Sequence, residues 1–96
     1  MATKILVVED DIDFLQFLQV VLEKEGFLPQ LASSAQAAQR WLDEPGAEPD
    51  LILLDTRLPD GSGLDFLSNI RNKHNSNIAV LVMSAYGELE DAVLQV

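Results

Sequence analysis

The sequence predicts an α/β fold: an open parallel sheet with helices on both faces, built from four βα units in succession. Three observations carry this. Short apolar runs alternate with stretches whose apolar residues recur at helical spacing. Two of the runs, Leu51-Ile52-Leu53-Leu54 and Ile78 to Met83, are apolar at every position, which suits strands covered on both faces. Turn-forming residues separate the units.

The first strand is Lys4 to Val8. Ile12, Leu15, Leu18 and Leu22 then mark a helix that Gly26 ends. Phe27 to Ala32 reads as a second strand, weakened by Pro29, and Ser33-Ser34 are the candidate caps of an alanine-rich helix running through Trp41-Leu42. Glu44 to Pro49, with two prolines and a glycine, is a loop, after which Asp50 opens the third strand and Asp55 stands at its carboxyl end. Pro59-Asp60-Gly61-Ser62-Gly63 is turn chemistry. Leu64, Leu67 and Ile70 carry the third helix up to the polar stretch Asn72 to Asn77, Ile78 to Met83 is the fourth strand, and Glu88 to Val96 begins a further helix.

At 96 residues the chain has room for one domain and a real core, since nearly half its residues are hydrophobic. Its formal charge of -10, with six Lys and Arg scattered along the chain, opposes binding to nucleic acid or anionic lipid, so no direct nucleic-acid binding by this segment is expected. Lys4 leads only into Ile5-Leu6-Val7-Val8 and no apolar run is long enough to cross a bilayer, so the expectation is a soluble cytoplasmic protein with no membrane partner. There is no cysteine, which leaves the redox compartment open, and no internal repeat.

In an open parallel sheet the ligand site lies at the carboxyl ends of the strands, where this sequence places Glu9 and Asp10 on the first, Asp55 on the third and Ser84 on the fourth. Three crowded carboxylates call for a cation, and all-oxygen ligation suits Mg²⁺ better than Zn²⁺, for which no Cys or His ligand set exists. A carboxylate beside Mg²⁺ can act as a nucleophile toward phosphorus, and Asp55, ending the central buried strand, is the best placed. Taken alone, Glu9-Asp10-Asp11 would read as helix-capping acids, and Asp11 and Asp13 are assigned to cap and surface. A calcium loop over Asp55 to Gly63 is rejected, because setting Gly61 at its sixth position puts Leu58 and Leu67 where oxygens are needed. Ser84 alone would be an ordinary strand-end hydroxyl, Trp41 a core residue and His74 a solvated loop residue.

Ile5-Leu6-Val7-Val8-Glu9-Asp10-Asp11, Pro49-Asp50-Leu51-Ile52-Leu53-Leu54-Asp55, Leu58-Pro59-Asp60-Gly61-Ser62-Gly63 and Met83-Ser84-Ala85 together resemble the motifs of response-regulator receiver domains. The resemblance spans essentially the whole chain and implies the flavodoxin-like (CheY-like) version of the fold. It implies that Asp55 accepts a phosphoryl group from a phosphohistidine on a sensor histidine kinase or phosphotransfer protein. It further implies that Asp10 and Asp55 ligate Mg²⁺, that Glu9 assists through water, and that the Arg57 backbone carbonyl supplies another ligand. Ser84 would be the switch hydroxyl on the phosphoryl group, and Arg57 and Tyr86 would tune dephosphorylation.

The family's fifth strand, with its lysine and aromatic switch residue, has no counterpart here. Lys4, Lys24 and Lys73 fall at the start of the first strand, late in the first helix and at the end of the third. Residues 1–96 are therefore expected to be a receiver domain incomplete at the C-terminus, with Mg²⁺ binding retained and phosphorylation slowed. Ile78 to Met83 would then be an exposed sheet edge, so a homo-oligomer formed through that edge is expected. Two rivals stand beside this reading: a pseudo-receiver acting only as an interaction module, and a Mg²⁺-dependent aspartyl phosphatase using Asp11-Ile12-Asp13. The second requires its nucleophile directly at the end of the first strand, where Asp11 does not stand.

Overall fold

The computed structural model describes residues 2–73 and 78–83. Four parallel strands, β1 (Lys4–Val8), β2 (Leu28–Ala32), β3 (Leu51–Asp55) and, last in the chain, β6 (Ala79–Met83), form one sheet in the order β2-β1-β3-β6. Between β3 and β6 lie two short strands, β4 (Arg57–Leu58) and β5 (Gly61–Ser62), paired antiparallel as a hairpin. The helices are α1 (Ile12–Lys24), α2 (Ala35–Asp43) and α3 (Gly63–Lys73).

Strand alternation explains why the central runs are apolar throughout. Ile5, Val7 and Leu53 point to one face and pack with Leu15, Leu18 and Leu22 of α1. Leu6, Val8, Ile52 and Leu54 point to the other and pack with Ala38 and Leu42 of α2 and Phe66 and Ile70 of α3. The helices thus lie on both faces, and every second residue of β1 and β3 belongs to a different core. β6 is less covered: Val82 is buried but Leu81 is 55% exposed.

Most element ends fall within a residue of expectation, for local reasons. Asp11 caps α1, its carboxylate accepting the Phe14 N–H at 3.2 Å. Gly26, at φ 88°, closes the helix with its N–H on the Glu23 carbonyl. The apolar stripe of α1 starts one turn later than the spacing suggests, because Ile12 is 53% exposed and Leu15 is the first residue to reach the core. β2 begins at Leu28 rather than Phe27, and as a sheet edge it accommodates Pro29 opposite Ile5. Of the two candidate caps, Ser34 acts, its hydroxyl accepting the Ala37 N–H at 3.1 Å.

The 44–50 loop is clamped to the amino end of the sheet. The Asp50 N–H donates to the Lys4 carbonyl and the Lys4 N–H to the Asp50 carboxylate, each at 2.8 Å, Lys4 Nζ donates to the Gly46 carbonyl at 2.8 Å, and Gln30 Nε2 donates to the Ala47 carbonyl at 2.8 Å. His74, Ser84, Tyr86 and the helix expected over Glu88 to Val96 lie outside the described residues. Among the described residues no helix is long and apolar enough to cross a membrane.

Candidate functional site

From β1 the chain passes through α1 to β2 on one side, whereas β3 lies on the other side of β1. The crevice of such a sheet opens where the direction of winding reverses, between the carboxyl ends of β1 and β3. Val8 is level with Leu54 across this pair, which sets Glu9 and Asp55 side by side immediately beyond. The Glu9 N–H donates to the Ala32 carbonyl at 3.0 Å and so fixes the backbone there.

Glu9 and Asp55 are buried, 7% and 8% exposed, while Asp10 is exposed. One carboxylate oxygen from each of the three lies within 4.8 Å of the others. Each buried carboxylate is oriented by a backbone donor two residues on: Glu9 Oε1 accepts from the Asp11 N–H and Asp55 Oδ1 from the Arg57 N–H, both at 3.1 Å. Asp11 itself serves as the α1 cap.

Burial, together with the charges of Asp55 and Asp10 and against the opposing pull of the Asp11 N–H, pushes Glu9 up to about 7. Burial likewise raises Asp55, with the Arg57 N–H opposing and the Asp10 charge adding. Glu9 and Asp55 also interact with each other through a side-chain hydrogen bond.

Stability follows with a definite sign. A carboxyl raised in the folded state holds its proton more tightly there than in the unfolded chain, so its stabilising contribution is full below the unfolded value and is lost as pH rises through the folded one. In chelator the protein is therefore expected to lose about 1–3 kcal/mol between the Glu9 values of 4.5 and about 7. Thermal melts at pH 5 and pH 7.5 in EDTA check this, and a Tm that climbs over that interval would contradict it. Added Mg²⁺ should restore most of the loss at pH 7.5.

The donor set fits a hard divalent cation. It consists of oxygens alone, and burial and mutual repulsion raise two of the three carboxylates, a cost that a cation among them would offset. Asp10, on the exposed side, leaves room for water. Glu9, Asp10 and Asp55 are the residues that could hold Mg²⁺.

Two further residues shape the site and were not foreseen from the sequence. Gly63, buried at the start of α3, packs so closely on the acceptor strand that a Cβ there would overlap the Asp55 carbonyl oxygen and come within 3.0 Å of Thr56 Cα. A glycine opening a helix was the available signal. Asp60, at the tip of the β4-β5 hairpin, accepts the Ala35 and Gln36 N–H groups at the start of α2, each at 3.0 Å. No local pattern announces a bond spanning that much sequence.

The family of response regulator receiver domains matches residues 5–95 of the chain. The chain belongs to that family. Relatives include the phosphate regulon transcriptional regulatory protein PhoB of Escherichia coli, 44% identical over 94 residues, which are 97% of this chain and 40% of PhoB. The KDP operon transcriptional regulatory protein KdpE of Escherichia coli is 38% identical over 92 residues, 95% of this chain and 39% of KdpE. The chain thus spans about two fifths of the length of these relatives. Among solved structures, a response regulator receiver domain protein from Clostridium thermocellum superposes with a TM-score of 0.83 at 32% identity, covering 97% of this chain and 73% of that one. A CheY-like receiver domain protein from Methanospirillum hungatei JF-1 does so with a TM-score of 0.84 at 26% identity, covering 99% and 74%. The predicted α/β receiver fold is the observed one, and phosphoryl acceptance in two-component signalling is general to the family.

Proposed function

We propose that this chain is the phospho-accepting receiver domain of a two-component response regulator, taking a phosphoryl group onto Asp55 with Mg²⁺ from a sensor histidine kinase or phosphotransfer protein. The observation that supports it most is the placement of Asp55, buried beside Glu9 and Asp10 at the winding reversal of a receiver fold.

The chemistry asked of the chain is small. An Asp55 carboxylate oxygen forms a bond to phosphorus, the P–N bond of the donor phosphohistidine breaks, and the departing imidazole takes up a proton. The Arg57 N–H holds Asp55 Oδ1 and so fixes the plane of the attacking carboxylate. Glu9, oriented by the Asp11 N–H, stands beside Asp55 where it would help hold the cation. Mg²⁺, held by Glu9, Asp10, Asp55 and the Arg57 backbone carbonyl, would neutralise phosphoryl oxygens. Ser84 is assigned as the hydroxyl that hydrogen-bonds the phosphoryl group, and Arg57 and Tyr86 as the residues that tune its loss. The domain promotes its own phosphorylation and dephosphorylation and is not a turnover enzyme.

The same proposal places the protein in the cytoplasm, with no direct nucleic-acid contact by this segment, which carries a charge of -10. It also includes pairing of two copies through the Ile78 to Met83 edge, supported by the place of β6 at the end of the strand order among the described residues. Light scattering should show a dimer at high concentration, and a monodisperse monomer there would end that part.

The deciding experiment is incubation with Mg²⁺ and a small acyl phosphate, followed by intact mass and peptide mapping. One phosphoryl adduct is expected, on Asp55, and absent in EDTA. No adduct under any condition would leave the chain a pseudo-receiver that acts as an interaction module.

A further inference from the structure

The β4-β5 hairpin is fastened at one end to the carboxyl end of β3 and at the other to the start of α2. At its base the Arg57 N–H binds Asp55 Oδ1 at 3.1 Å, and the Gly63 N–H binds the Thr56 carbonyl at 3.0 Å. At its tip the Asp60 carboxylate spans the first two N–H groups of α2, Oδ1 to Ala35 and Oδ2 to Gln36, both at 3.0 Å. Ser34 takes the next one, from Ala37. These are donors a helix cannot satisfy internally, and an anion there is favoured by the helix dipole.

The hairpin is too short and too constrained to absorb motion between these ends. Arg57 pairs with Ser62 and Leu58 with Gly61, so Pro59 and Asp60 alone form its tip. Leu58 is seated in the core. A displacement at Asp55 or Arg57 therefore has a short, stiff route to the start of α2. The carboxylate of Asp60 is held below its ordinary value by the same two N–H groups, so it stays ionised as the tie requires.

We propose that Asp60 is a positioning residue for the acceptor loop, coupling the state of the Glu9, Asp10 and Asp55 cluster to helix α2. This rests on the reading of that cluster as a Mg²⁺ site. Helix α2 carries its own reporter: Trp41, the only tryptophan in the sequence, donates from Nε1 to the Leu31 carbonyl at 2.9 Å. Movement of α2 relative to β2 alters that bond and the indole environment.

The test titrates MgCl₂ into the full chain and follows heat by calorimetry and Trp41 emission in parallel. The wild type is expected to give one midpoint by both. Asp60→Ala should bind Mg²⁺ roughly tenfold more weakly and lose the emission change. Asp60→Asn, which keeps an acceptor oxygen on a fully exposed side chain, should fold normally and recover part of both. Ser34→Ala removes the other cap of the same helix without touching the hairpin, and should titrate as the wild type. Wild-type behaviour of Asp60→Ala in both signals would overturn the proposal, as would an equal loss in Ser34→Ala, which would mean ordinary fraying of α2. Heat without any Trp41 response in the wild type would overturn the coupling alone. No heat at all in the wild type would overturn the Mg²⁺ reading, and the coupling with it.

Discussion

A Gly63→Ala chain should lose about 2–4 kcal/mol of stability and most of its ability to form the Asp55 adduct. The obstacle is backbone. The added methyl would overlap the Asp55 carbonyl oxygen and stand 2.9 Å from the carbonyl carbon, so neither a rotamer change nor a flexible neighbour can make room. Either α3 moves away from β3 or the end of β3 shifts, and the second displaces the acceptor itself. Gly61 is the natural control. It sits at φ 144°, where a side chain is strained, but nothing lies within 4 Å of where its Cβ would be. Gly61→Ala should cost only about 1–2 kcal/mol. Urea unfolding of the two variants separates crowding from conformation, and equal midpoints would show that the close packing of Gly63 on β3 has no energetic weight.

Asp55→Asn is expected to do two opposite things. It should abolish the phosphoryl adduct entirely, because an amide is not a nucleophile toward phosphorus under these conditions. It should also raise the Tm of the metal-free protein by several degrees near neutral pH. Asn keeps the Oδ1 acceptor for the Arg57 N–H while removing a buried charge that faces Glu9 and Asp10. The raised titration of Asp55 is the sign that this charge is unfavourable where it stands. Intact mass after acyl-phosphate treatment, together with thermal melts in EDTA and in Mg²⁺, tests both halves. The advantage of Asn should shrink or reverse in Mg²⁺. An adduct persisting in Asp55→Asn would move the acceptor elsewhere, and a lower Tm in EDTA would show that the charge is well solvated.

The parts of the fold legible in the sequence are those that depend on burial pattern. Leu51 to Leu54 declares a strand covered on both faces because each residue meets one of two cores, and Asp55 is marked by ending that run. The convergence of Glu9, Asp10 and Asp55 follows once the strands are parallel and ordered as they are. Less legible were features set by tertiary contact. Pro59 to Gly63 read as a turn, since strands of two residues leave no periodicity; in the structure Gly61–Ser62 is β5, paired with β4 in a hairpin whose tip is Pro59 and Asp60. Ile12 matches the helical stripe but sits on the first turn, beyond the reach of the core. The role of Asp60 depends on α2 lying nearby, which no spacing within its own segment encodes.

The alternation of β1 and β3 also bears on how such a domain can vary. Glu9 and Asp55 share the parity of Ile5, Val7, Leu51 and Leu53, the residues that face α1. Leu6, Val8, Ile52 and Leu54, facing α2 and α3, have the opposite parity. A one-residue slip in either strand would exchange the two sets and turn the acids away from each other, so insertions within these strands should be purged whatever their effect on stability. Substitution is another matter: the β1 and β3 side chains that face α2 and α3 stand off the rows that end in the acids, whereas every change on the α1 side of these strands is made on the rows that end in the site.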